Sequence, residues 1–70
     1  MKPMVTVQLN GRSVDTPEGT TVFDLLVSAE IRTGLVAVEI NQEVLAKEEH
    51  ATRILNDGDA VEAVTLVGGG

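Results

Sequence analysis

Apolar side chains return at every second position near the start of the chain. Val5, Val7 and Leu9 alternate with Met4, Thr6 and Gln8. A period of two predicts a strand with one buried face. Asn10-Gly11 comes next, and this dipeptide suits a two-residue hairpin because both positions of a type I′ turn need positive φ. Arg12 to Thr16 reads as the returning strand, with Val14 pointing inward, and Pro17-Glu18-Gly19 breaks it. The period then changes. Val22, Leu25, Leu26 and Ala29 recur at i, i+3, i+4 and i+7, the apolar stripe of an amphipathic helix. Thr20-Thr21 offers its N-cap, and Asp24 stands three residues past Thr21, near the positive end of the helix dipole. Phe23 and Val27 lie beside the stripe, where they are either core or exposed. The helix is expected to stop before Thr33-Gly34, where a glycine suits the C-terminal cap.

Period two resumes with Val36, Val38 and Ile40, separated by Ala37 and Glu39. Asn41-Gln42 predicts a tight turn into a short apolar step at Val44-Leu45. The charged stretch Ala46 to Ala51 fits a single helical turn or a loop, and Thr52 to Leu55 a brief edge strand. Asn56-Asp57-Gly58-Asp59 is a concentrated turn signal. A last strand runs from Ala60 to Val67 and feeds into Gly68-Gly69-Gly70. It puts Val61, Ala63 and Thr65 on one face, and Glu62, Val64 and Leu66 on the other. If Glu62 marks a solvated face, Val64 and Leu66 are an apolar docking patch beside the tail. The opposite assignment, with Val64 and Leu66 in the core and Glu62 at its rim, fits the pattern equally well.

A hairpin, a helix and further short strands make an α+β layer arrangement. The compact solution is a β-grasp: a mixed sheet of four to five strands packed on one main helix, with the first and last strands parallel in the middle. Seventy residues allow one domain, expected over 1–67, followed by a flexible glycine tail at 68–70.

Composition removes several functions. There is no Cys, hence no disulfide, thiolate metal site or cysteine nucleophile, and a lone His, His50, builds no metal site by itself. His50 reads as a surface residue near a turn. Net charge is −6, which repels nucleic acid and anionic membrane surfaces and favours a basic protein surface. No apolar run approaches the roughly 20 residues that span a bilayer. Thr6, Gln8 and Asn10 interrupt any secretory signal, so a cytoplasmic protein is expected. Ser13 and Ser28 belong to no catalytic set, and Gly68 to Gly70 precede no helix that would make them a phosphate loop. Glu48-Glu49 and Asp57 with Asp59 read as a solvated loop and turn, without the ligand pattern of a calcium loop. The chain is expected to be no enzyme, with no metal or cofactor bound.

That leaves the glycines. Without Cβ atoms, Gly68, Gly69 and Gly70 can thread a channel too narrow for side chains and present an unhindered carboxylate; the alternative is ordinary fraying of a terminus. The segments Val7-Gln8-Leu9-Asn10-Gly11, Pro17-Glu18-Gly19-Thr20-Thr21-Val22 with Leu25-Leu26, Val36 to Asn41, Leu55 to Glu62 and Val67 to Gly70 together resemble the ThiS/MoaD-type sulfur carriers. These are small ubiquitin-like β-grasp proteins ending in a glycine pair, and the resemblance spans essentially the whole chain. The short length and the Pro-Glu-Gly-Thr-Thr-Val entry look more like the thiamine branch than the molybdopterin branch. Two features depart from the pattern: Gln42 where a second-turn glycine is expected, and a third tail glycine.

The resemblance implies a protein co-substrate. An E1-like adenylyltransferase (ThiF-type), using ATP and magnesium, would adenylate the Gly70 carboxylate. Sulfur from a sulfur donor protein would then replace AMP and leave a thiocarboxylate. A thiazole synthase (ThiG-type) would receive that sulfur to build the thiazole of thiamine. Gly69 and Gly68 would give access to the enzyme channel, and Val64 and Leu66 would dock the partner. Three alternatives share parts of this picture: a carrier for molybdopterin or another sulfur-transfer pathway, a non-catalytic β-grasp interaction module, and a modifier joined through Gly70 to lysines.

Overall fold

The alternation at the start of the chain forms β1 (Met4–Leu9), with Val5, Val7 and Leu9 buried. A computed structural model describes residues 3–31 and 35–65. β1 turns at Asn10 and Gly11, whose φ angles of 51° and 83° are both positive, as the hairpin requires. It pairs antiparallel with β2 (Arg12–Pro17) from Met4↔Pro17 to Leu9↔Arg12. β3 (Val36–Ile40) turns back through Asn41-Gln42 into β4 (Glu43–Leu45). β5 (Ala60–Thr65) lies between β1 and β3, parallel to the first and antiparallel to the second. The sheet order β2-β1-β5-β3-β4 is the expected β-grasp, with five strands.

Helix α1 (Val22–Ser28) covers the inner face of this sheet with Val22, Leu25 and Leu26. Its start is fully provided for. The Thr21 hydroxyl accepts from the Asp24 N–H at 3.1 Å, and the Asp24 carboxylate accepts from the Thr21 N–H at 3.4 Å, a capping box. The two preceding helical N–H groups have no partner within the helix. They reach instead into the connection before β5: Val22 donates to the Arg53 carbonyl at 3.0 Å and Phe23 to the His50 carbonyl at 2.8 Å. Phe23 and Val27, a quarter turn off the stripe, are 39% and 53% exposed. Leu55 joins the strand and helix residues in the core.

Four expectations are corrected. Helix α1 ends at Ser28, well before Thr33-Gly34, and Ala29 is its exposed C-cap rather than part of the buried stripe. Glu30 takes the left-handed position at φ 62°. Glu30 N–H donates to the Val27 carbonyl and Ile31 N–H to the Leu26 carbonyl, the paired bonds of a Schellman stop. Half-buried Ile31 packs against the core there, and this contact sets the stop in place of a glycine. Thr33 and Gly34 lie outside the described residues.

Thr52 to Leu55 is no strand, since only Ile54 bridges, to Thr21. His50 is 3% exposed, not a surface residue. A 3-10 turn (Lys47–Glu49) tucks it beneath the helix start, where its carbonyl caps Phe23. Asp59, read as part of a solvated turn, is buried at 6% exposure.

Candidate functional site: the outer face of the last strand

β5 resolves the choice between its two faces. Val61 and Ala63 are buried, while Glu62 and Val64 face solvent and Val64 is 59% exposed. Thr65, on the inner side, is already exposed at the rim. Val64 therefore stands on the outer face of the sheet, at the end of β5 that leads toward the glycines. Leu66 and Gly68, Gly69 and Gly70 lie outside the described residues.

The cross-strand register supplies the neighbours of Val64. Ala37 of β3 is directly opposite it, and Glu39 is directly opposite Glu62. Val44 of β4 is opposite Glu39 and is 80% exposed. The surface is an apolar group of Val64, Ala37 and Val44, interrupted by two facing carboxylates. Like charges directly opposed in a sheet destabilise it. A partner bringing a cation between Glu39 and Glu62 and an apolar surface onto Val64 would relieve the one and bury the other.

Behind this face, Asp59 organises the start of β5. Its Oδ2 accepts from the Asn56 N–H at 2.8 Å and lies 3.3 Å from Arg53 Nη1, and its Oδ1 accepts from Asn41 Nδ2 at 3.0 Å. Burial pushes the Asp59 carboxyl up, but the Asn56 N–H, the Asn41 amide and the Arg53 charge outweigh it and hold it below its ordinary value of 3.8. Asn41 also accepts from the Ala60 N–H at 3.0 Å. Along the sequence Asn41 stands only as a turn residue, and no local signal marks its link to Asp59.

A cleft of about 380 Å³ lies beside this network, lined by Ile40, Asn41, Glu43, Val44, Leu45, Glu49 and Arg53. It sits at the Ala60 end of β5, away from the end that leads to the glycines. Among the described residues no three metal-ligating side chains converge, and no helix is long and apolar enough to cross a membrane. Among the described residues, the outer face of β5 with β3 and β4 offers a surface for binding.

Comparison with known proteins agrees with the fold. The ThiS family model matches residues 6–70. Sulfur carrier protein ThiS of Bacillus subtilis (strain 168) is 42% identical over 65 residues, 91% of this chain and 98% of that one. The structure of a thiamine biosynthesis protein (ThiS) from Geobacter metallireducens superimposes with a TM-score of 0.77 at 36% identity, covering 94% of this chain and all of that one. A protein named thiazole synthase, from Paramagnetospirillum magneticum, is 37% identical over 62 residues, which are 89% of this chain but 19% of that one.

Proposed function

The chain belongs to the ThiS family, and we propose on that basis that it is a sulfur carrier for thiamine thiazole formation, acted on by enzymes rather than being one. Residues 1–67 are the carrier domain, and 68–70 are the slender tail that enters partner active sites. Gly70 is the reacting residue; Gly69 and Gly68 give its carboxylate room. Nothing else in the chain is needed as a nucleophile, which accords with the absence of Cys.

A carboxylate is a poor electrophile, so the chemistry begins with activation. A Gly70 carboxylate oxygen attacks the α-phosphorus of ATP in a ThiF-type, E1-like adenylyltransferase, expelling pyrophosphate and forming an acyl adenylate. Magnesium in that enzyme offsets the phosphate charge. Hydrosulfide, set free when a thiol reductant cleaves the S–S bond of a persulfide on a sulfur donor protein, then attacks the acyl carbon, AMP departs, and the thiocarboxylate remains. A ThiG-type thiazole synthase is the proposed acceptor. The dependence on ATP makes the cytoplasm the proposed compartment.

The observation that carries this reading is the delivery of β5. It occupies the sheet centre, held on both flanks, and turns Val64 outward beside the segment that leads to the glycines. The thiazole synthase similarity supports the acceptor, because a segment like this chain makes up a fifth of a protein so named.

Intact-mass spectrometry tests the proposal. Incubation with ATP, magnesium, a ThiF-type enzyme and a sulfur source should replace one oxygen of the chain by one sulfur. The variant lacking Gly69-Gly70 should fold normally and keep its mass. No mass gain, where another ThiS carrier is converted under the same conditions, removes the proposal.

A further inference from the structure

β5 needs two walls, but β1 is too short to supply one of them to its end. β1 runs parallel to β5 in the register Gln8↔Ala60 and Leu9↔Val61, and then the chain turns away at Asn10-Gly11. The last main-chain bond on this flank is Asn10 N–H to the Val61 carbonyl at 2.9 Å. Beyond it, the Asn10 side chain continues the ladder. Its Oδ1 accepts from the Ala63 N–H at 2.8 Å, and its Nδ2 donates to the Ala63 carbonyl at 3.2 Å. A primary amide thus stands in for the next peptide group of a strand that has already left.

The conformation that ends β1 is what makes this possible. Asn10 has φ 51°, a left-handed angle that asparagine tolerates better than most residues. Both bonds go to one residue, so the grip also selects a register. Glu62 and Val64 belong to the opposite flank, where they are the neighbours of Ala63 in the ladder to β3. A slip of β5 by one residue presents Asn10 with peptide groups turned the wrong way. Asp at this position could accept but not donate, and Gly could do neither.

Resting on the sulfur-carrier reading, we propose that Asn10 is a positioning residue for activation of the tail. Its clamp on Ala63 holds the β1 flank of β5 beyond the end of β1, while β3 holds the other flank as far as Thr65, and together they set the direction of the strand's last residues beside Val64. Docking through Val64 then brings the tail to the nucleotide in one orientation. Asn10 touches none of the reacting atoms.

Asn10→Gly keeps the favoured backbone angle and the N–H bond to Val61 while deleting the clamp; Asn10→Asp keeps the shape and one of the two bonds. Steady-state adenylation by a ThiF-type enzyme, with full-length carrier as the varied substrate, should show KM near that of the wild type. For Asn10→Gly, kcat should fall roughly tenfold to a hundredfold, the scale set by misplacement of a reacting group; Asn10→Asp, which sets a carboxylate oxygen against the Ala63 carbonyl, should fall at least as far. Amide exchange at Ala63 should quicken in both variants, while both stay folded at the assay temperature by circular dichroism. Unchanged kcat with quickened Ala63 exchange overturns the proposal and leaves the carrier reading standing. A loss that appears in KM alone, or that follows global stability, overturns it equally. A wild-type chain that is never adenylated instead removes the carrier reading, and this inference with it.

Discussion

Glu39 and Glu62 face each other across β3 and β5 on the solvent side of the sheet, two carboxylates in a directly opposed pair. Opposed like charges cost a sheet a few tenths of a kcal/mol or more, up to about 1 kcal/mol. Glu62→Gln should therefore raise the urea midpoint slightly. The same change should weaken binding to a ThiF-type partner and flatten the salt dependence of the association rate, because it removes charge that steers a basic surface. Tighter binding by Glu62→Gln would contradict a docking role for this face.

Val64 separates docking from folding. Its side chain is mostly exposed, so Val64→Asp should change stability by no more than about 0.5 kcal/mol. Partner affinity should nevertheless fall clearly, as read by isothermal titration. Val61→Asp, three positions earlier on the opposite and buried face, should instead unfold the domain.

Asp59 makes stability depend on pH. Its folded carboxyl titrates below 3.8, the ordinary value that applies in the unfolded chain. Above that value the unfolded and folded states bind equal numbers of protons at this group, and its full contribution is present. As pH falls below about 3.8 the unfolded chain takes up the proton first, and the contribution is lost progressively through the lower folded value. Urea titrations should show that decline, and Asp59→Asn should lessen it. The variant should also be less stable at neutral pH, by about 1.5–3 kcal/mol if the charge-assisted bonds are lost.

Gln42 holds φ at 71°, an angle that glycine adopts without a Cβ penalty. Its backbone strain amounts to about 1 kcal/mol. Gln42→Gly should raise the denaturation midpoint by up to that amount with no change in m-value. An unchanged or lower midpoint would show that the added unfolded-state entropy of glycine outweighs the relief of strain.

Thr21→Ala deletes one half of the capping box and should cost about 1 kcal/mol. Asp24→Asn, which keeps the geometry and weakens only the other half, should cost less. Thermal melts of the two variants test the order.

What was legible in the sequence follows from how far apart the determining residues lie. Val5, Val7 and Leu9 declare a strand by their own spacing, and Thr21 with Asp24 declares a helix start within one turn. Alternation in β5 separated Val64 from Ala63 but could not say which pointed inward, because that depends on packing against α1. His50 and Asp59 were misread for the same reason. His50 is tied to the helix start by the bond its carbonyl accepts from the Phe23 N–H, and Asp59 is held by Asn41 and Arg53, residues that no local pattern connects to them. The early helix stop was hidden because glutamate has no preference for the left-handed angle that Glu30 adopts. The glycine tail was legible only as composition, and Leu66 with residues 68–70 lies outside the described residues.

The parallel pairing of β1 with β5 also bears on synthesis. The sheet's middle is made from the first and last strands, so the domain has no centre until almost all of it has been translated. The earlier segments can form a hairpin and a nascent helix, but Val7 and Leu9 lack their neighbour until Val61 and Ala63 arrive. Such sequence-distant closure is slow compared with local folding. A message cut short before the last strand therefore yields a chain that cannot fold, open to cellular proteases.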